Sequence, residues 1–108
     1  MKITSLADYE GYLDFLDRKL FVSEGFIHVQ FEHPLTISLT ACQDILSLKQ
    51  WAATVRDALR QNLEPLNTTY LIKRFLDLAI KGNSLPFKSD VVMLELVRDW
   101  NLPDVYHV

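Results

Sequence analysis

Hydrophobic positions recur with two different periods along this chain, and the points where the period changes mark its elements. Leu6, Tyr9, Leu13, Leu16 and Leu20 are spaced three or four apart, which is one face of a helix from about Leu6 to Phe21. Ser5 to Asp8 reads as a capping box before it, Arg18 and Lys19 sit where the helix dipole favours cations, and Gly25 is the expected stop. From Phe26 the period drops to two. Ile27, Val29 and Phe31 share one face, and after His33-Pro34 the run Leu35, Ile37, Leu39, Ala41 does the same. These runs predict a two-stranded antiparallel β-hairpin over 26–41. A lone hairpin is only marginally stable in water, so its apolar face must pack on helices or its edge must pair with another copy.

The helical period then returns. Ala41, Ile45, Leu48, Ala52, Val55 and Leu59 form the most regular stripe, widened by Trp51 and Ala58, and predict a helix from about Cys42 to Gln61. Ser47 is an alternative cap for a shorter helix, and Pro65 fixes the exit. Thr68 to Lys81 reads as a helix with Asn67 as N-cap and Gly82 as a left-handed C′ glycine. Its polar residues, Lys73, Arg74, Asp77 and Lys81, fall on one thin line, so this helix is expected to be the most buried. A last helix runs from about Asp90 to Trp100 behind a Ser89 cap, with Met93, Leu94, Leu96, Val97 and Trp100 facing inward. Asn101-Leu102-Pro103 ends it, and 104–108 reads as a loose extended tail. The resulting expectation is an α+β fold, with a helix, a β-hairpin and three helices around one core in a single domain spanning 1–108. The alternative is an all-α bundle in which 35–61 is one long helix.

Composition supports a folded chain: 108 residues, 49% hydrophobic, with three glycines and four prolines. The net charge of −3 belongs to the first half, where Asp8, Glu10, Asp14, Asp17, Glu24, Glu32 and Asp44 outnumber the cations. This balance disfavours nucleic acid and anionic membranes, which call for a basic patch. The segment Gly82 to Lys88 is also too long for the turn of about three or four residues in a DNA-binding helix-turn-helix. Acidic Asp90, Glu95 and Asp99 on the last helix carry the wrong sign for phosphates. The N-terminus lacks the apolar run of a signal peptide, no stretch is long enough to span a bilayer, and one cysteine cannot form an internal disulfide. The expected setting is the cytoplasm.

Candidate chemistry is sparse. His28 and Glu32 on one strand face would stand roughly 13 Å apart, too far to share a metal. His33 precedes a proline and His107 lies near the terminus. Cys42 has no base near it in sequence, and no phosphate-binding loop or nucleophile elbow occurs. No metal or cofactor is expected. Two partner-binding features stand out. Glu10, Asp14 and Asp17 share a face of the first helix, as a docking surface for a basic partner or as a solvated face relieved by an Asp14–Arg18 pair. Tyr9, Tyr12, Phe15, Phe21, Phe26 and Phe31 crowd the first third. Tyr9 and Phe15 cannot share one helix face, so some apolar surface is expected outside a single core stripe, with Tyr12 and Phe15 as the candidate partner-binding residues. These features point to a small non-catalytic interaction domain that binds a protein partner or itself as a homodimer. Two alternatives stay open. One is an immunity- or antitoxin-like inhibitor of a basic partner. The other is a ligand-binding protein or enzyme with a pocket near His28, Glu32 and Asp44.

Overall fold

The computed structural model describes residues 6–31, 34–60 and 65–100, and for 6–10, 60 and 65–67 the backbone only. In chain order these residues form α1 (Leu6–Lys19), β1 (Leu20–Ser23), β2 (Phe26–Val29), β3 (Leu35–Ser38), a 3-10 turn (Leu39–Cys42), α2 (Ile45–Arg60), α3 (Pro65–Gly82) and α4 (Ser89–Trp100). The α+β class is as expected, and 35–61 is not one helix. The sheet has one strand more than the hairpin expected, in the antiparallel order β1-β2-β3. The added strand comes from residues 20–23, assigned above partly to the first helix. Val22-Ser23 and Phe26-Ile27 flank a two-residue turn, Glu24-Gly25, and Ser23 pairs with Phe26. Both turn residues have positive φ, 53° and 82°, as in the type I′ turn that suits the twist of paired strands. Gly25 therefore turns a hairpin rather than stopping a helix.

The second expected strand is shorter than its alternating pattern. Leu35 pairs with Val29 and Ile37 with Ile27, but from Leu39 the chain tightens into the 3-10 turn, leaving Ala41 outside the sheet. The second helix, α2, starts at Ile45, not Cys42. Asp44 rather than Ser47 caps it, accepting bonds from the Ser47 N–H at 2.8 Å and the Ser47 hydroxyl at 3.0 Å. These two bonds hold the Asp44 carboxyl below its ordinary range.

Helix α3 lies at the centre, packed against α1, α2, α4, the 3-10 turn and strands β1 and β2. Leu71, Ile72, Phe75, Leu76 and Ala79 are fully buried on it, as its thin polar line predicts. That polar line staples α3 to its neighbours. Arg74 Nε donates to the Leu20 carbonyl at 2.6 Å, and Lys73 bridges Asp77 at 2.7 Å and Asp90 at 3.4 Å. The start of α3 lies before Asn67, so Asn67 is not its N-cap.

Its far end also departs from the sequence reading. Gly82 is the last helical residue, and the left-handed position is Ser84, with φ of 51°. Leu85 N–H bonds to the Ile80 carbonyl and Ser84 N–H to the Lys81 carbonyl, the paired bonds of a Schellman motif. Gly82 instead lies close against the Leu39 side chain, which would have to shift for a larger residue. A Cβ there would stand 2.9 Å from a methyl of Leu39. Asn83 completes the joint, its Nδ2 donating to the carbonyls of Leu39 at 2.7 Å and Ala79 at 3.1 Å, with Cys42 O at 3.4 Å. In α4 the Lys88 carbonyl accepts the first helical bonds, from Val91 and Val92 N–H. Ser89, expected as the cap, instead turns its hydroxyl to the Asp77 carboxylate. Residues 1–5, 32–33, 61–64 and 101–108 are outside the described set, including Ser5, Glu32, His33, His107 and the expected tail.

Candidate functional site

On α1, Tyr12 and Phe15 sit one turn apart with rings stacked at 6.3 Å between centroids. Phe15 remains 47% exposed, with the Lys19 ammonium 5.2 Å from its ring centroid. The acidic stripe is divided. Asp17 is half-buried and committed inward, accepting a bond from Tyr70 Oη at 2.8 Å and lying 3.6 Å from Arg74 Nε. Asp14 is exposed, and the Asp14–Arg18 pair considered above does not form. Both residues line a shallow depression of about 520 Å³ with Asp17, Phe21 and Arg74. The side chain of Glu10 lies outside the described residues. An α1 surface for a basic partner would therefore present the carboxylates of Asp14 and, in part, Asp17 beside two guanidinium groups.

Of the polar groups considered for a pocket, Glu32 lies outside the described residues, and His28 and Asp44 are each engaged locally. His28 stacks on Phe21, its direct cross-strand partner, at 5.1 Å between ring centroids. Asp44 is committed to the start of α2. Cys42 is fully buried, and burial pushes its thiol up to about 11, so it is protonated at neutral pH. Among the described residues, no three His, Cys, Asp or Glu side chains are grouped to hold a metal ion. No described helix is long and apolar enough to cross a membrane.

The outer edges of the sheet are short, and each is blocked at one position. The Gln30 N–H bonds to the Lys19 carbonyl, so pairing parity turns the polar groups of Leu20 and Val22 outward from β1. Arg74 covers the Leu20 carbonyl. On the far side, Leu39 N–H bonds to Gly25 O, which places Thr36 and Ser38 facing outward from β3. Pro34 falls on the same parity and has no N–H to offer. Four-residue strands blocked at one position offer few groups to a further strand.

The larger apolar exposure lies elsewhere, between the first turns of α2 and α4. Ile45, Pro86, Phe87, Val91 and Val92 line a groove of about 440 Å³, with Lys88 and Glu95 on its rim. Lys49 and Glu95 pair beside it, joining the two helices. Ile45, Leu46, Val91 and Leu94 are 37%, 64%, 55% and 48% exposed. Two of them fall on stripes expected to face the core. The α2 stripe holds from Leu48 through Leu59, all fully buried at its expected positions, but Ile45, the stripe residue that opens α2, sits at the groove. On α4 the buried set is Val92, Met93, Leu96 and Val97, so Leu94 points outward and Val92 takes its place. Because Ile45 and Leu94 fit the core period, the sequence carried no signal that distinguished this surface from the core. Compared with family models, curated proteins and solved structures, the chain has no match.

Proposed function

We propose that this chain is a small non-catalytic protein–protein interaction domain that self-associates, and that the apolar surface between α2 and α4 is where it meets its partner. The observation that supports the reading is the cluster of Ile45, Val91, Pro86 and Phe87 at one groove, with Leu46 and Leu94 exposed beside it. Fully burying an aliphatic side chain is worth about 1.5–3 kcal/mol, so covering each half-exposed one contributes on the order of 1 kcal/mol. The Lys49–Glu95 pair beside them, being partly exposed, is worth at most about 1 kcal/mol and mainly sets the spacing of the helices. Contiguous apolar surface on a small domain marks an interaction site more often than scattered exposure does. The short, partly blocked sheet edges turn the reading away from strand addition and toward helix packing. Sedimentation velocity from low micromolar to near-millimolar protein tests it. A sedimentation coefficient rising with concentration toward that of a dimer is expected. A constant monomer value across the range removes self-association.

A further inference from the structure

The outward side of α4 carries more than apolar residues. Asp90, Leu94 and Arg98 are spaced four apart, so they form one ridge along the helix, and all three are exposed. Val91 flanks the ridge on the side of the groove. The sequence of this ridge is acid, apolar, base, with Leu94 midway between the two charges. Over eight residues of helix the charges stand roughly 12 Å apart along the axis. Such a ridge is complementary to itself when reversed. An antiparallel second copy, related by a two-fold axis at Leu94, places leucine on leucine and each Arg98 against the other copy's Asp90. That is the isologous contact a two-fold dimer requires. Antiparallel helices also bring each positive N-terminal end beside a negative C-terminal end.

We infer that the partner on this face is a second copy of the chain, docked antiparallel along the Asp90–Leu94–Arg98 ridge of α4. The inference rests on the self-association reading above and names its surface and register. A stable dimer buries about 800 Å² on each partner, more than one short helix ridge supplies. The groove beside Val91, lined by Ile45 and Phe87, extends the contact. Asp90 already lies 3.4 Å from Lys73, and Arg98 pairs only with its neighbour Asp99 at 3.4 Å. Both are exposed enough for their charges to meet a second copy.

The register has a consequence that few other surfaces share. Arg98→Asp gives a ridge with two acids, and Asp90→Arg gives a ridge with two bases. Each variant alone sets like charges against each other twice, while a mixture restores two opposite-charge pairs. The test is sedimentation of the wild type, of each variant and of their equimolar mixture at low salt, with thermal melts to establish folding. The expected result is a dimer for the wild type, dimerisation weakened about tenfold or more in each variant, and a heterodimer in the mixture. Leu94→Glu is a second probe, should Asp90→Arg fold poorly. It is expected to weaken dimerisation without rescue on mixing with the wild type. Wild-type dimers that survive Arg98→Asp and Leu94→Glu unchanged would overturn this surface while leaving self-association intact. Weakened variants that stay apart when mixed would overturn the antiparallel register. A monomeric wild type at all concentrations would overturn both readings.

Discussion

Replacing Asn83 by alanine removes one amide group from the junction of α3 and the 3-10 turn. Carbonyls only accept hydrogen bonds, so three of them around one side chain require its NH₂ to face them. Two bonds, to Leu39 O at 2.7 Å and Ala79 O at 3.1 Å, have good length, while Cys42 O at 3.4 Å is marginal. A net hydrogen bond is worth about 0.5–1.5 kcal/mol, which puts the loss at about 1–3 kcal/mol. Ala79 O keeps its bond from the Asn83 backbone N–H, so the lower half of that range is expected. Asn83→Asp sharpens the test. It keeps the size of the side chain but removes both donors and sets a carboxylate against carbonyls at a helix C-terminus. The dipole alone adds about 0.3–1 kcal/mol of cost there. Urea unfolding should therefore rank wild type above Ala and Ala above Asp, with midpoints shifted and slopes unchanged. An alanine variant within about 0.5 kcal/mol of wild type, or an aspartate variant more stable than alanine, would refute the junction described here.

Ser84→Gly is expected to stabilise by about 0.5–1 kcal/mol, because a left-handed serine costs about 1–2 kcal/mol and glycine returns part of that gain as unfolded-state entropy; thermal melts at fixed pH check it. Tyr70→Phe should cost about 0.5–1.5 kcal/mol by removing the bond to Asp17, with an urea midpoint at the wild-type value as the contrary result. The lowered Asp44 carboxyl contributes stability that is present above its unfolded value near 3.9 and lost as pH falls through the lower folded value. Asp44→Ala should thus destabilise at neutral pH and converge with wild type in strong acid, whereas a constant gap across melts from neutral to acidic pH would exclude the cap.

The amphipathic stripes were legible because burial follows the period. Leu48, Ala52, Val55 and Leu59 are buried where spacing puts them, and α3 is the central helix. Boundaries were less legible, since they depend on partners distant in sequence. Leu20 fits the α1 stripe and is buried, yet it begins β1 because Val29 pairs with it. Gly82 looks like a helix terminator, but it lies against Leu39, far away in sequence, and a serine takes the left-handed turn. Asp17 looked like surface charge because neither Tyr70 nor Arg74 is near it in sequence. The α2–α4 surface was hidden by its own composition. Ile45 and Leu94 match the core period, and their exposure depends on how α2 and α4 each pack on α3, which spacing alone does not give.

A dilution series followed by backbone amide NMR tests the central claim most directly. If the chain associates through α4 and the adjoining turn of α2, concentration-dependent shifts will concentrate at Ile45, Leu46, Phe87, Val91, Leu94 and Arg98 and leave β1 and β2 unchanged. Shifts centred instead on Phe15, Val22 and Phe26, or a spectrum that does not change with concentration, would contradict it.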